Sequence, residues 1–202
     1  MTYQFLNLRN QAKSLNIHMK PITLVTSNPG KLREAQQILG NQNIVNQKID
    51  LPELQFDTSE QVAYYKAKEA AKIVGGPVLI DDTALHFHAI GGLPGAYIRS
   101  FIEKLTPANL AKLLVGFEDK SAHVTCSLGY CPGPDSEPSV FTGRCDGTIV
   151  EPRGTGGFGF DPIFQPDGYD KTYAELSAEE KNKISHRYKA FQMLRDSHIL
   201  DN

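Results

Sequence analysis

Apolar and polar positions fall into blocks along the chain, and the period changes from block to block. Ile22-Thr23-Leu24-Val25 is a short apolar run that predicts a strand. Leu32, Ala35, Ile38 and Leu39 then recur at helical spacing, and Gly40 stops the pattern. Ile44 to Ile49 predicts a second strand, and Asp50-Leu51-Pro52-Glu53 a loop, because Pro52 ends any regular element. Thr58 or Ser59 caps a predicted helix that runs to about Val74. Val62, Lys66, Glu69 and Ile73 mark its period, and Gly75-Gly76-Pro77 ends it. Val78-Leu79-Ile80 is wholly apolar, as in a strand covered on both faces, and is expected to deliver Asp81-Asp82-Thr83 at its carboxyl end.

Beyond the turn-rich Gly91-Gly92-Leu93-Pro94-Gly95, Thr106-Pro107 reads as a cap followed by a first-turn proline, opening a helix to about Val115. Residues 121–130 and 138–150 predict a hairpin around Cys131-Pro132-Gly133-Pro134-Asp135. Ser177 and Glu180 have capping-box spacing for a helix to Ile184. Ser185 caps a last helix with Tyr188, Phe191 and Leu194 on its apolar face. Alternating strands and helices with one hairpin predict an α/β fold with a mixed sheet.

Composition narrows the function classes. The 202 residues are 40% hydrophobic and 22% charged, as expected for one globular domain. A net charge of −2 argues against broad electrostatic binding of nucleic acid. No apolar run approaches a membrane span. The odd, sparse set Cys126, Cys131 and Cys145 suggests a reducing compartment, and a cytoplasmic protein is expected. Residues 1–20 lack the apolar centre of a signal peptide. They read as a flexible leader before a single domain over 21–202, with Arg9, Lys13 and Lys20 leaving an organelle presequence as the alternative and Met19 an alternative start.

Candidate chemistry begins at Thr26-Ser27-Asn28-Pro29-Gly30-Lys31, a polar turn between strand and helix start. Backbone N–H groups and the helix dipole favour an anion there, and Lys31 adds a positive charge where the helix itself disfavours one. An ordinary surface lysine is the plainer reading. Asp81 and Asp82 are adjacent carboxylates whose repulsion a cation would relieve, against the alternative of a loop or cap. Strand geometry points them to opposite faces, so one of them binds metal directly. Glu53 is a second oxygen donor or a surface acid, and Mg²⁺ suits such a sparse set. Phe158 and Phe160, among glycines, can stack on a flat ring or anchor the loop. Ser185-His186-Arg187 and Lys181 add a hydroxyl, an imidazole and two cations near a helix start. No Gly-x-Ser-x-Gly elbow is present, so covalent acyl chemistry is not expected.

Thr26 to Lys31, Asp81-Asp82-Thr83, Gly91 to Ile98, Phe158-Gly159-Phe160-Asp161-Pro162 and Ser185-His186-Arg187 occur in the order and spacing of one family. The sequence resembles the inosine triphosphate pyrophosphatases of the eukaryotic type, from about residue 22 to 195. The resemblance implies an elongated α/β protein with a long mixed sheet, two lobes and a nucleotide cleft between them, acting as a homodimer. It implies hydrolysis of purine nucleoside triphosphates, those of inosine, deoxyinosine and xanthosine, to monophosphate and pyrophosphate. It implies phosphate binding by Thr26, Asn28 and Lys31, with Lys66 and Lys181 along the phosphate path. Mg²⁺, with Mn²⁺ as a substitute, is implied on Glu53 and Asp82, Asp82 also activates water, Asp82 and Thr83 contact the substrate, and Asp82 and Lys31 are the implied catalytic residues. The nucleoside falls to Phe158, Gly159, Phe160, Asp161, Ser185, His186 and Arg187. Phe160 replaces a commoner Trp, and Asp81 a commoner Glu. Arg187 can only donate hydrogen bonds, which fits the 6-oxo bases and disfavours adenine. A nucleotide-binding regulator without turnover and an enzyme of the related septum-inhibition family are the competing readings.

Overall fold

A computed structural model of the chain describes residues 21–40, 44–52 and 55–200. The expected leader and Glu53 lie outside the described residues. Among the described residues seven strands form one sheet: β1 (Ile22–Val25), β2 (Ile44–Gln47), β3 (Val78–Phe87), β4 (Pro94–Gly95), β5 (Ser121–Cys131), β6 (Ser139–Ile149) and β7 (Phe164–Pro166). Six α-helices accompany them among the described residues: α1 (Pro29–Leu39), α2 (Ser59–Val74), α3 (Ile98–Lys104), α4 (Pro107–Ala111), α5 (Ala178–Ile184) and α6 (His186–Asp196). The strand order is β2-β1-β3-β5-β6-β7, with β4 beside β3. β1 pairs in parallel with β2 and β3, and the rest of the sheet is antiparallel. The fold is mixed α/β, as the alternation of elements predicts.

The strand expected over residues 78–80 is the largest departure. It runs ten residues to Phe87. Asp81, Asp82 and Thr83 therefore lie within the strand and not at its carboxyl end. Every residue of β3 pairs with β5, from Val78 opposite Cys131 to Phe87 opposite Ala122. That ladder carries the chain through its polar centre. On its other edge β1 accompanies only Val78, Leu79 and Ile80, and β4 touches only Leu85 and His86. Among the described residues no strand pairs with the edge of β3 between them.

Strand alternation sorts the core. Leu24 and Leu79 pack with Ala35 and Leu39 of α1 and Ala190, Phe191 and Leu194 of α6. Val25, Val78 and Ile80 pack on the opposite face with Ala63, Ala67, Ala70 and Ala71 of α2. A third cluster, including Leu85, Phe87, Leu110, Val124, Phe164 and Tyr173, fills the far end. Gly143 lets α6 lie directly on β6, because a Cβ there would fall 2.2 Å from the His186 carbonyl oxygen. Among the described residues no helix is long and apolar enough to cross a membrane, and the three cysteines are buried free thiols.

At the far end of β3 three imidazoles meet. His86 and His123 are cross-strand partners with rings 4.3 Å apart and nearly parallel. His88 Nε2 lies 2.8 Å from His123 Nδ1, and His88 Nδ1 lies 2.8 Å from Ser121 Oγ. A nitrogen pair this close needs one unprotonated member. Burial lowers the His123 pKa to about 4, helped by His86, Arg144 and His88, while Asp146 opposes. The unfolded chain, with His near 6.5, then binds more protons than the folded one between those values. Stability is therefore expected to fall as pH drops through that window. His123→Asn should show a flatter decline in thermal midpoint from pH 7 to pH 5, followed by circular dichroism. Buried His186 and the carboxylates are common to both proteins, so the difference isolates His123. Parallel declines would remove the histidine cluster from the account.

Candidate active site

The chain passes from β1 through α1 to β2 on one side, then through α2 to β3 on the other side of β1. That reversal makes a crevice at the carboxyl end of β1, the place where open α/β sheets bind ligands. The turn Thr26–Lys31 forms its lip. Thr26 Oγ1 accepts from Asn28 N at 3.1 Å, and Asn28 Oδ1 accepts from Gly30 N at 2.8 Å and Lys31 N at 3.3 Å. Thr26 and Asn28 thus build the turn and cap α1. Lys31 reaches across the crevice, with Nζ 2.9 Å from Asp81 Oδ1 and 2.7 Å from the Asp81 carbonyl oxygen.

As alternation requires, the acid pair divides between the two faces of β3. Asp81 joins the α1/α6 side and is locked. Arg187 Nε donates to Asp81 Oδ2 at 2.6 Å, and Arg187 Nη2 donates to Asp81 Oδ1 at 3.3 Å and to Thr83 Oγ1 at 3.0 Å. Nη1 of the same guanidinium donates to Glu34 Oε2. Burial alone would raise the Asp81 carboxyl, but Arg187 and Lys31 hold it well below the usual carboxylate range. Glu34, against the same desolvation, is lowered by Arg187 and Lys181. Lys181 Nζ sits 2.9 Å from Glu34 Oε1 and 2.7 Å from Asp161 Oδ2.

Asp82 faces the α2 side and is left almost alone. It pairs with Lys66, also on the α2 side, whose Nζ approaches Asp82 Oδ1 to 3.5 Å. Burial pushes its pKa up, with Lys31 and Lys66 opposing and Asp81 adding. A desolvated, weakly paired carboxylate at the lip of a crevice suits a hard divalent cation. Among the described residues no three His, Cys, Asp or Glu side chains converge as a metal cage. Mg²⁺ needs none, since it keeps waters and takes substrate phosphate oxygens beside one or two carboxylates.

The glycine-rich loop closes the other side. Phe158 is half-buried and lies against Gly30, where a Cβ would fall 2.4 Å from its ring. Lys181 Nζ and the Arg187 guanidinium lie 4.8 Å and 5.6 Å from the Phe158 ring centre. Asp161 ties the loop by accepting from Phe158 N at 2.8 Å, and burial raises its pKa. Phe160 is only 6% exposed and belongs to the apolar core, so Phe158 presents the more accessible ring. Ser185 caps α6, accepting from Tyr188 N at 3.1 Å. His186 is 1% exposed, and neither ring nitrogen has a hydrogen-bond partner among the described residues. Burial, with Arg187 and Lys181 nearby, lowers its pKa well below the usual range, so it is neutral.

Of the expected site residues, one contact network links Lys31, Thr83, Phe158, Asp161, Lys181 and Arg187, and His186 packs beside it on Phe160 and Tyr173, whereas Asp82 and Lys66 meet on the opposite face of β3. Arg187 is placed differently from a base-reading donor: four of its five N–H groups are spent on Asp81, Glu34 and Thr83. Glu34, which neutralises both Arg187 and Lys181, was not singled out by sequence. Its one signal was the three-residue step from Lys31 on α1.

The sequence from residue 22 to 197 matches the family model described as the Ham1 family. A protein of Emericella nidulans named inosine triphosphate pyrophosphatase is 52% identical over 177 residues, covering 87% of this chain and 95% of that one. A Candida albicans protein of the same name is 46% identical over 198 residues, covering 88% of this chain and 98% of that one. A HAM1 protein of Coxiella burnetii superposes with a TM-score of 0.78 at 32% identity, covering 89% of this chain and 98% of the other. A nucleoside-triphosphatase (dITP/XTP pyrophosphatase) of Mycobacterium abscessus does so with a TM-score of 0.69 at 30% identity, covering 87% and 98%.

Removing one partner of a buried pair costs about 3–5 kcal/mol, and because Asp81 keeps Lys31 and Glu34 keeps Lys181, loss of Arg187 falls at the low end of that range. Arg187→Met should lower the denaturant unfolding free energy by that order, and Asp81→Asn added to it should recover part of the loss. The Asp81 pKa is depressed, so the pair's contribution is complete above about pH 4 and is lost only on stronger acidification. An Arg187→Met protein as stable as the parent would show that the pair does not hold the site.

Proposed function

The chain belongs to the Ham1 family, and on that premise we propose that it hydrolyses inosine, deoxyinosine and xanthosine triphosphates to the nucleoside monophosphate and pyrophosphate. The observation that carries the reading is Asp82, a desolvated carboxylate with one long ion pair, standing between the turn Thr26–Lys31 and Lys66. The names of the similar fungal proteins point to the same reaction. The role proposed is removal of deaminated purine nucleotides, by a cytoplasmic homodimer that binds small-molecule nucleotides and neither nucleic acid nor membrane.

Asp82, with Glu53, would hold Mg²⁺, or Mn²⁺ in its place. When bound, the ion supplies charge neutralisation on the phosphates. The chain's own groups do the rest. Asp82 is placed to accept the proton of the water that attacks the α-phosphorus. The new bond joins that oxygen to phosphorus, and the bond that breaks releases pyrophosphate. Lys31 and Lys66 offset the charge on the phosphate chain, with Thr26 and Asn28 shaping the lip that receives it. Phe158 offers a ring for stacking, with Gly159 freeing the backbone beside it. His186 is neutral and has two unspent nitrogens, so it offers hydrogen bonds to the base. Arg187, spent on Asp81, Glu34 and Thr83, holds the site in register and does not read the base.

Purified protein with Mg²⁺ should release pyrophosphate from ITP and XTP. GTP and ATP should be poorer by about 5- to 150-fold, the cost of burying one unsatisfied polar group. Chelation by EDTA should abolish turnover and Mg²⁺ restore it. Asp82→Asn should cut turnover by at least about 10²-fold. A folded Asp82→Asn protein that turns over ITP at the parent rate would remove Asp82 from the chemistry. Tight ITP binding without pyrophosphate release by the parent would favour a regulator.

A further inference from the structure

A buried imidazole is ordinarily fixed by a hydrogen bond on one ring nitrogen. His186 has none among the described residues, although it is 1% exposed. Its ring plane must therefore be set by what it packs against. Among the described residues two rings lie beside it: Tyr173, with centres 5.9 Å apart and planes within 15°, and Phe160, at 6.2 Å and 40°. Of the two, only Tyr173 lies nearly parallel to the imidazole. The ring of Tyr173 also lies 5.2 Å beneath Lys181 Nζ, the ammonium shared by Glu34 and Asp161.

Tyr173 is itself held firmly. It is 1% exposed, its N–H donates to the Phe164 carbonyl at 2.9 Å, and its ring packs on that of Phe164 at 4.9 Å. Its neighbours seat on the glycine-rich loop. Thr172 Oγ1 donates to Arg153 O at 2.9 Å, Ala174 N to Asp161 O at 3.2 Å, and Gly156 N to Ala174 O at 3.1 Å. A Cβ at Gly156 would fall 2.7 Å from that Ala174 oxygen, so the glycine permits the close seat. The Tyr173 hydroxyl, by contrast, is buried beside Cys145 and the His186 backbone and makes no hydrogen bond of normal geometry among the described residues. The ring is used and the hydroxyl is not.

We propose that Tyr173 is a positioning residue for base recognition, its ring setting the plane of His186 and the seat of Lys181. The inference rests on the nucleotide reading above and adds a determinant of specificity to it. A ring without the hydroxyl should serve as well, whereas an aliphatic side chain of similar bulk should not.

The test compares Tyr173→Phe, Tyr173→Leu and Tyr173→Met in the full chain, with ITP and ATP as substrates. Tyr173→Phe should keep kcat/KM for ITP within about twofold, since removing an unsatisfied buried hydroxyl is nearly neutral. The aliphatic variants should raise KM for ITP about tenfold, short of the roughly 10²-fold cost of a 1 Å misplacement. They should change kcat little and narrow the ITP/ATP ratio. The His186 ring-proton resonance, assigned with His186→Asn, should stay in place in Tyr173→Phe and move in Tyr173→Met. That readout needs no activity, and Met serves if Leu does not fold. The proposal falls if the aliphatic variants melt lower yet keep the parent KM, base ratio and His186 resonance. It also falls if Tyr173→Phe fails as badly as Tyr173→Leu. A parent protein inert toward ITP would remove the nucleotide reading itself, whereas unchanged aliphatic variants of an active parent would remove only the role of Tyr173.

Discussion

Three carboxylates and three cations meet in this fold, four of them buried and Lys31 and Glu34 half-buried, and the rest of the site depends on their cancelling. Asp81, Glu34 and Asp161 face Arg187, Lys31 and Lys181. Each charge alone would be costly to desolvate, and each is tolerable only because its partners arrive from other elements. α1 supplies Lys31 and Glu34, β3 supplies Asp81, the glycine-rich loop supplies Asp161, and α5 and α6 supply Lys181 and Arg187. The cluster therefore demands that all five segments be in register at once. Buried pairs of this kind add little net stability over an apolar core, but they penalise misassembly heavily.

The closed balance gives Asp82 its character. Its neighbour on the chain is neutralised on one face of β3, while Asp82 emerges on the other with Lys66 at 3.5 Å. Desolvation then acts on it with little opposition and leaves a basic carboxylate beside the crevice. The same division of labour appears among the aromatics and histidines. Phe160 is spent on the core, and Phe158 remains at the surface of the crevice. Ser185 is spent on capping α6, and His186 keeps both nitrogens unspent among the described residues. In each pair the structural partner fixes the position from which the other can act.

Much of this was legible in the sequence where the signal was local. The turn Thr26–Lys31, the caps at Thr58, Thr106, Ser177 and Ser185, and the hairpin around Pro132 all follow from short-range chemistry. Strand alternation also told in advance that Asp81 and Asp82 would part. The failures are long-range. Nothing near Asp81 announces that Arg187, 106 residues later, will take both its oxygens. Without that partner a run of polar residues looks like the end of a strand, whereas the ladder to β5 carries β3 on to Phe87. Glu34 was hidden for the same reason: an acid beside the apolar face of α1 looks solvated until Arg187 and Lys181 arrive. Tyr173 lies in an irregular segment with no periodic pattern to mark it.

The central claim is that water attacks the α-phosphorus and pyrophosphate leaves as a unit. Hydrolysis of ITP in ¹⁸O-labelled water, with both products examined by mass spectrometry, addresses that claim most directly. The account predicts one labelled oxygen in inosine monophosphate and none in pyrophosphate. Label in pyrophosphate, or release of inosine diphosphate with labelled inorganic phosphate, would contradict it.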